Sequence, residues 1–289
     1  MKTVLCSFLF IFLTLGSWAQ EPDLEQLGQI ELELQEHLIA LQEASTNDAW
    51  NMQATAIQKT VRDAVNTPGC FDYPFDSVKG MGILTSPDGK LKMFNWSAPQ
   101  EDNTHKYFCI FLHRPDKKSG IIDVHELVHD GSLPQGTVTK YLDGEEWYGA
   151  LYYEIIPIKK GKNTIYTLLG WAGMDGLTTM KLIDALQFTS RGIRLGAPIF
   201  KTDKGVQKRF LLEYADDVSA SLRWFEKDKR LIFDHLSPRN PSLQGQYAFY
   251  GPDFTYDAFI LEKGKWIYQR DVYITMEKDK RPFNDPRRR

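Results

Sequence analysis

The sequence predicts a mainly β fold in which antiparallel meander sheets, arranged as a small propeller or a large sandwich, follow an N-terminal α-hairpin. Three observations support this prediction. Apolar residues recur with helical spacing near the N-terminus, and short runs rich in β-branched and aromatic residues, separated by turn residues, fill the remainder. Strand-like and helix-like segments do not alternate along the chain, which argues against a doubly wound α/β fold.

The helical hairpin is predicted over residues 20–67. Apolar residues three or four positions apart form one stripe over residues 24–41 and a second over residues 50–64, and this spacing places each stripe on one face of a helix. The polar cluster at residues 45–48 can end the first helix and cap the second, and Thr67-Pro68-Gly69 ends the second. We expect the hairpin to pack on the body; a helical arm that binds a partner is the alternative.

The β-rich body is predicted over residues 70–276. Its turns include Pro87-Asp88-Gly89 and Lys160-Gly161-Lys162-Asn163, and connections this short join antiparallel neighbours because a parallel return needs a long crossover. No fixed-period repeat is visible, which weakens the propeller alternative. The predicted strands cover residues 90–96, 105–113, 148–158, 164–171, 206–214, 219–225, 231–235, 256–262 and 265–270.

The N-terminus has the pattern of a secretory signal peptide over residues 1–19. Lys2 supplies a positive charge before an apolar run over residues 4–15, and Ser17 and Ala19 place small residues at the positions that signal peptidase reads. The run is too short to span a bilayer core of ~30 Å comfortably, and no later segment reaches spanning length. We therefore expect cleavage after Ala19, a secreted or periplasmic protein, and no membrane span after processing.

The charge balance does not indicate a nucleic-acid partner. The chain has 35 Lys and Arg against 38 Asp and Glu, whereas a nucleic-acid surface needs a concentrated basic face. The basic cluster that is present lies in a predicted charged tail over residues 277–289, where Pro282 and Pro286 favour a solvated segment.

Cys70 and Cys109 are the cysteines left after removal of the signal peptide. An oxidising compartment would permit a bridge between them. Cys109 nevertheless lies in the apolar run Tyr107-Phe108-Cys109-Ile110-Phe111, where a free buried cysteine behaves as a small hydrophobe. Both states stay open from the sequence, and the free thiol is favoured.

Six short segments carry a resemblance to known sequences. They are residues 71–77, 84–91, 147–153 and 196–200, together with Phe233-Asp234-His235-Leu236-Ser237-Pro238 and Gly251-Pro252-Asp253-Phe254-Thr255-Tyr256-Asp257. In combination they resemble uncharacterised secreted proteins of Bacteroidota. This resemblance implies an extracytoplasmic location and a β-rich body. Because that group has no established activity, it implies no catalytic residue.

One motif matches a catalytic pattern. His125-Glu126-Leu127-Val128-His129 has the spacing of zinc peptidases, in which two histidines bind the metal and the glutamate activates water. That chemistry needs a helix, where residues four apart lie about 5–6 Å apart on one face; on a strand they are about 13 Å apart. The β-branched residues around the motif, set between Gly120 and Gly131, favour the strand.

Aromatic residues and turn aspartates are weaker candidates. Asp88, Asp175, Asp253 and Asp257 are assigned to turns where carboxylates can bind calcium, but none has metal-loop spacing, so turn formation is the favoured role. Aromatic side chains offer stacking platforms for sugar rings, although core packing is the simpler interpretation. The aromatic candidates are Trp96, Trp147, Tyr148, Trp171, Trp224, Phe249, Tyr250, Tyr256 and Trp266.

These observations favour a non-enzymatic extracytoplasmic protein that binds a protein or glycan partner of the cell envelope, without a cofactor. The sequence contains no glycine-rich phosphate loop, nucleophile elbow or paired-cysteine metal site. A zinc-dependent hydrolase, with His125 and His129 as metal ligands and Glu126 as catalytic residue, is the alternative.

Overall fold

The computed structural model describes residues 21–117, 119–161 and 163–273. Two N-terminal helices precede a series of antiparallel sheets, so the prediction of a mainly β fold after two helices is confirmed. The predicted signal peptide (1–19) and the predicted charged tail (277–289) lie outside the described residues.

The helices are α1 (Leu24–Glu43) and α2 (Asn47–Asn66). Each begins at a side-chain cap, because Asp23 accepts a hydrogen bond from the N–H of Gln26 and Thr46 accepts one from the N–H of Ala49. Among the described residues, no helix is both long and apolar enough to cross a membrane. The buried stripes of both helices pack on the first sheet, and they include Leu27, Leu34, Leu38, Ile57 and Val61.

The described strands form three sheets. Sheet one has the order β1-β2-β3-β4 and contains β1 (Gly82–Thr85), β2 (Leu91–Pro99), β3 (His105–His113) and β4 (Asp123–His129). Sheet two has the order β11-β7-β6-β5, with β8 also on β7, and contains β5 (Leu151–Lys160), β6 (Asn163–Gly173), β7 (Thr178–Thr189), β8 (Gly192–Leu195) and β11 (Phe210–Ala215). Sheet three has the order β10-β9-β15-β14-β13-β12 and contains β9 (Phe200–Thr202), β10 (Gly205–Gln207), β12 (Leu222–Phe225), β13 (Arg230–Pro238), β14 (Tyr250–Glu262) and β15 (Lys265–Gln269).

The helices and sheets stack in layers because successive side chains of a strand point to opposite faces. On β3, Phe108 packs against the helices, whereas Cys109 faces sheet two. On β6, Leu168 faces sheet one, whereas Leu169 faces sheet three. Sheet two is therefore buried on both faces, which explains the nearly continuous apolar sequence of its central strands.

The predicted strand over residues 206–214 is instead two strands in different sheets. β10 belongs to sheet three and β11 to sheet two, and the chain passes between them at Arg209, which is completely buried. Nε of Arg209 donates to Asp184 on β7 at 3.1 Å, and the hydroxyl of Tyr148 donates to the same carboxylate at 2.7 Å. This buried ion pair fixes the crossing point, because an unpaired buried guanidinium would be very costly.

One strand pair departs from the antiparallel prediction. β9 and β15 are parallel, with Phe200 beside Trp266. The two strands are far apart in the sequence, so the long connection that a parallel pair needs is available.

The two cysteines of the described residues, Cys70 and Cys109, are free and buried. Cys70 lies in the core between the helices and sheet one, and Cys109 lies in the core between sheets one and two. Because sheet one separates the two thiols, the choice that the sequence left open is resolved in favour of free cysteines.

Candidate functional site

The zinc-peptidase motif lies on β4, at the end of sheet one, so the predicted strand is confirmed. His125 and His129 share the face of Leu127, which is buried toward sheet two, whereas Glu126 lies on the opposite face. There Oε1 of Glu126 accepts a hydrogen bond from Nη2 of Arg62 on α2 at 2.8 Å. The motif's three chemical groups are therefore not brought together.

The two histidines also have separate surroundings. The ring centroid of His125 lies 5.5 Å from that of Phe188, and Nδ1 of His129 accepts a hydrogen bond from the N–H of Gly131 at 3.0 Å. Burial lowers the pKa of both imidazoles. Within the described residues, no group of three or more His, Cys, Asp or Glu side chains is placed to hold a metal ion. The absence of bound zinc from the purified protein stays a prediction.

A second cluster arises where two of the resemblance segments pair with each other. β13 and β14 are antiparallel, with Phe233 opposite Asp257. The register shifts just after Asp234, so His235 lies at a β-bulge, an irregularity that re-aims a side chain. As a result, Nδ1 of His235 lies 2.7 Å from Oδ2 of Asp257.

Asp257 is buried and is surrounded by donors. The hydroxyl of Tyr268 donates to Oδ2 at 2.6 Å, and the N–H of Asp271 donates to Oδ1 at 3.1 Å. Burial, together with this bond to a carboxylate, raises the pKa of Tyr268. A buried carboxylate needs such partners, and here they hold the imidazole of His235 with Nδ1 turned inward and Nε2 turned toward Asp253.

Phe254 stands beside this cluster with its ring almost fully in solvent. Its backbone has φ of +69°, and the residue is 92% exposed. Oδ1 of Asp253 accepts hydrogen bonds from the N–H and the hydroxyl of Thr255 at 3.1 and 2.7 Å, which closes the turn around Phe254. The left-handed conformation costs a residue of this type roughly 1–2 kcal/mol, and such strain concentrates at functional positions.

Asp253 completes the cluster from the solvent side. Its Oδ2 lies 4.0 Å from Nε2 of His235. Partial burial would raise the pKa of Asp253, but the hydrogen bonds from Thr255 and the charge of His235 outweigh it and lower the pKa. The carboxylate and the imidazole nitrogen together offer hydrogen-bonding groups to an incoming ligand.

Two sequence assignments are corrected at this site. Asp253 and Asp257, predicted in turns, both lie within the bounds of β14; Asp257 is paired with β13, whereas Asp253 forms a local turn in the unpaired stretch over residues 253–255. The sequence reasoning missed His235 and Phe254, although both belong to the resemblance segments. The signal available in the sequence was a phenylalanine between two residues that commonly form side-chain hydrogen bonds in turns, Asp253 and Thr255.

The predicted aromatic platforms divide by burial. Phe249 is 40% exposed, and the ring of Tyr250 lies 5.1 Å from that of Tyr247, which was not among the predicted platforms. Four of the predicted platforms are completely or almost completely buried and pack in the core, namely Trp96, Trp147, Tyr148 and Trp266.

Comparison of the chain with protein-family models, with curated proteins and with solved structures gives no match. The geometry of the cluster around His235 is therefore the basis for a functional proposal.

Proposed function

We propose that this is a non-enzymatic extracytoplasmic protein that binds a glycan of the cell envelope through Phe254, Asp253 and His235. The extracytoplasmic location and the relationship to secreted Bacteroidota proteins belong to the proposal; the N-terminal sequence pattern and the resemblance segments support them. The observation that carries the proposal is the 92% exposure of Phe254 beside Asp253 and His235.

The chemistry around the ring favours a glycan over a protein partner. A sugar has an apolar C–H face and a rim of hydroxyl groups, so it matches an aromatic ring beside hydrogen-bonding groups. The ring of Phe254 offers the apolar platform, and the carboxylate of Asp253 and Nε2 of His235 offer hydrogen bonds. A protein anchor is usually surrounded by a broader desolvated patch, whereas the neighbours of Phe254 are polar.

Of the two predicted architectures, the large sandwich fits this proposal better. The described sheets contain four, five and six strands, whereas propeller blades are usually equal sheets of four strands. The ligand then meets the bulge between β13 and β14 rather than a central channel.

The zinc-dependent hydrolase gains no support from the geometry. Its chemistry needs Glu126 to face the water bound between His125 and His129, but Glu126 lies on the other face of β4 and pairs with Arg62. Elemental analysis of purified protein for zinc tests this alternative directly.

The glycan proposal is tested with labelled protein on an array of envelope glycans. We expect Phe254→Ala to weaken binding at least tenfold because it removes the stacking platform, while the melting temperature stays unchanged because the ring is exposed. Phe254→Gly should abolish binding and raise the free energy of unfolding by about 1 kcal/mol, since glycine relieves the left-handed strain. Leu177→Ala, at another residue that is 65% exposed, is the matched control and should bind normally.

Binding that is equal in wild type and Phe254→Ala would contradict the proposal. If no glycan on the array bound, and wild type but not Phe254→Ala captured an envelope protein, the site would be assigned to a protein partner instead. Recovery of the bound glycan in cleaved form would show an enzyme.

A further inference from the structure

Among the described residues, β4 is an edge strand that contains no lysine, proline or bulge. Within the described residues it pairs with β3 alone, in an unbroken register from Asp123 to His129. Natural edges are commonly blocked by lysine, proline, bulges or covering loops. This segment instead exposes β-branched side chains, namely Ile121 (60%), Ile122 (38%), Val124 (47%) and Val128 (41%).

We propose that the β4 edge pairs with the β4 edge of a second copy of this chain. The two strands run antiparallel about a two-fold axis at Glu126, so that sheet one continues from one copy into the next. An isologous contact of this kind requires a self-complementary surface, and the sequence of β4 supplies one.

The complementarity follows from pairing each residue with its symmetry partner. Asp123 faces His129 of the second copy, and His129 faces the second copy's Asp123, which gives two pairs of complementary polar groups on the face toward sheet two. On the other face, Val124 lies opposite the second copy's Val128, and the reverse pair repeats the contact. An acid opposite an imidazole can form a hydrogen bond across the two strands, and β-branched cross-strand pairs stabilise antiparallel sheets.

Glu126 lies on the two-fold axis, opposite Glu126 of the second copy. The negative charge of each Glu126 is already compensated within its own chain. Like charges directly opposite each other would destabilise the pair. Each Glu126, however, forms an ion pair with Arg62 of α2 at 2.8 Å and accepts a further hydrogen bond from Gln58. The axis therefore brings together two carboxylates and two guanidinium groups with no net charge.

Other registers lose this match. A shift by one residue would set opposite faces against each other. A shift of the axis to His125 places Asp123 opposite Leu127 and Val124 opposite Glu126. A shift to Leu127 places Val128 opposite Glu126. The axis at Glu126 is the register that places Val124 opposite Val128 and Asp123 opposite His129, with His125 opposite Leu127.

The first test is the oligomeric state of the purified protein. A single-strand contact belongs to the small interfaces, so we expect a dissociation constant on the order of 1–100 μM, measured by sedimentation equilibrium. Val128→Lys sets a charge opposite Val124 and should raise the dissociation constant at least tenfold. The matched control is Val206→Lys, because Val206 is 57% exposed on β10, the edge strand of sheet three, and this variant should dimerise like wild type.

The second test determines which residues of the two β4 strands lie opposite each other. In the proposed pairing Glu126 faces itself, and the Cα distance of about 4.5–5.5 Å for opposite residues lies within the range that a disulfide spans. Glu126→Cys should therefore form an intermolecular disulfide on mild oxidation, whereas Val124→Cys should not. A monomer at all concentrations, equal loss of dimer in Val206→Lys, or equal cross-linking of both cysteine variants would each overturn the proposal.

Discussion

Lys92 on β2 is a buried lysine, with 2% of its surface exposed. Its Nζ donates to the carbonyl oxygen of Cys70 at 3.1 Å and to that of Tyr73, and it lies 4.9 Å from the centroid of the Phe75 ring. These contacts tie the segment after α2 onto sheet one. Burial lowers the pKa of Lys92 to about 8, although the neighbouring charges of Cys70 and Asp72 oppose the shift.

The pKa of Lys92 predicts a specific pH dependence of stability. Because the folded-state value of about 8 lies below the ordinary value of 10.5, the folded protein releases this proton first, and the free energy of unfolding rises as pH increases between these values. Relative to Lys92→Met, wild type should gain about 3 kcal/mol between pH 7 and pH 11. Urea denaturation at several pH values measures the difference.

The control for removal of a lysine is Lys201→Met, at an exposed position on β9. If the stability difference between wild type and Lys92→Met were the same at pH 7 and pH 11, Lys92 would not carry a shifted pKa in the folded protein.

At the scale of elements, the alternation of side chains between the two faces of a strand decides which residues of a motif can contact each other. Local composition was enough to identify β3 with its observed bounds, His105–His113, and to favour a strand for the segment around His125. It was not enough to place His235 on Asp257, because that contact depends on the pairing register and bulge of two strands 22 residues apart at these positions. Pairing registers are set by partners that a single strand does not contain.

The helical hairpin gives a prediction at the same scale. Leu34→Asp and Ile57→Asp should each lower the free energy of unfolding by about 3–5 kcal/mol, because both side chains are completely buried and an unpaired carboxylate would enter an apolar core. Leu32→Asp and Met52→Asp, at positions that are 64% and 62% exposed on the same helices, are the matched controls. Thermal unfolding followed by circular dichroism measures all four. Parental melting temperatures in both buried variants would mean that the hairpin does not contribute to the cooperative core.

At the scale of the whole molecule, the order of layers was beyond sequence reasoning. The sequence predicted two helices and a β-rich remainder, and the described structure confirms both. It did not predict that residues 206–214 divide between two sheets, since the cause is the buried contact of Arg209 with Asp184 on another strand. The candidate glycan site likewise depends on sheet three being complete, because Tyr268 of β15 supports Asp257 of β14.

The separation of the two thiols by sheet one would also constrain maturation in the oxidising compartment proposed for this chain. Once β2 and β3 have paired, Cys70 and Cys109 lie on opposite sides of a continuous hydrogen-bonded layer, so oxidation can join them only in a chain that has not yet assembled this layer. A disulfide between Cys70 and Cys109 is therefore incompatible with the native arrangement of sheet one. In the proposed compartment, closure of sheet one would have to precede thiol oxidation, and a delay in folding would increase the bridged, non-native fraction.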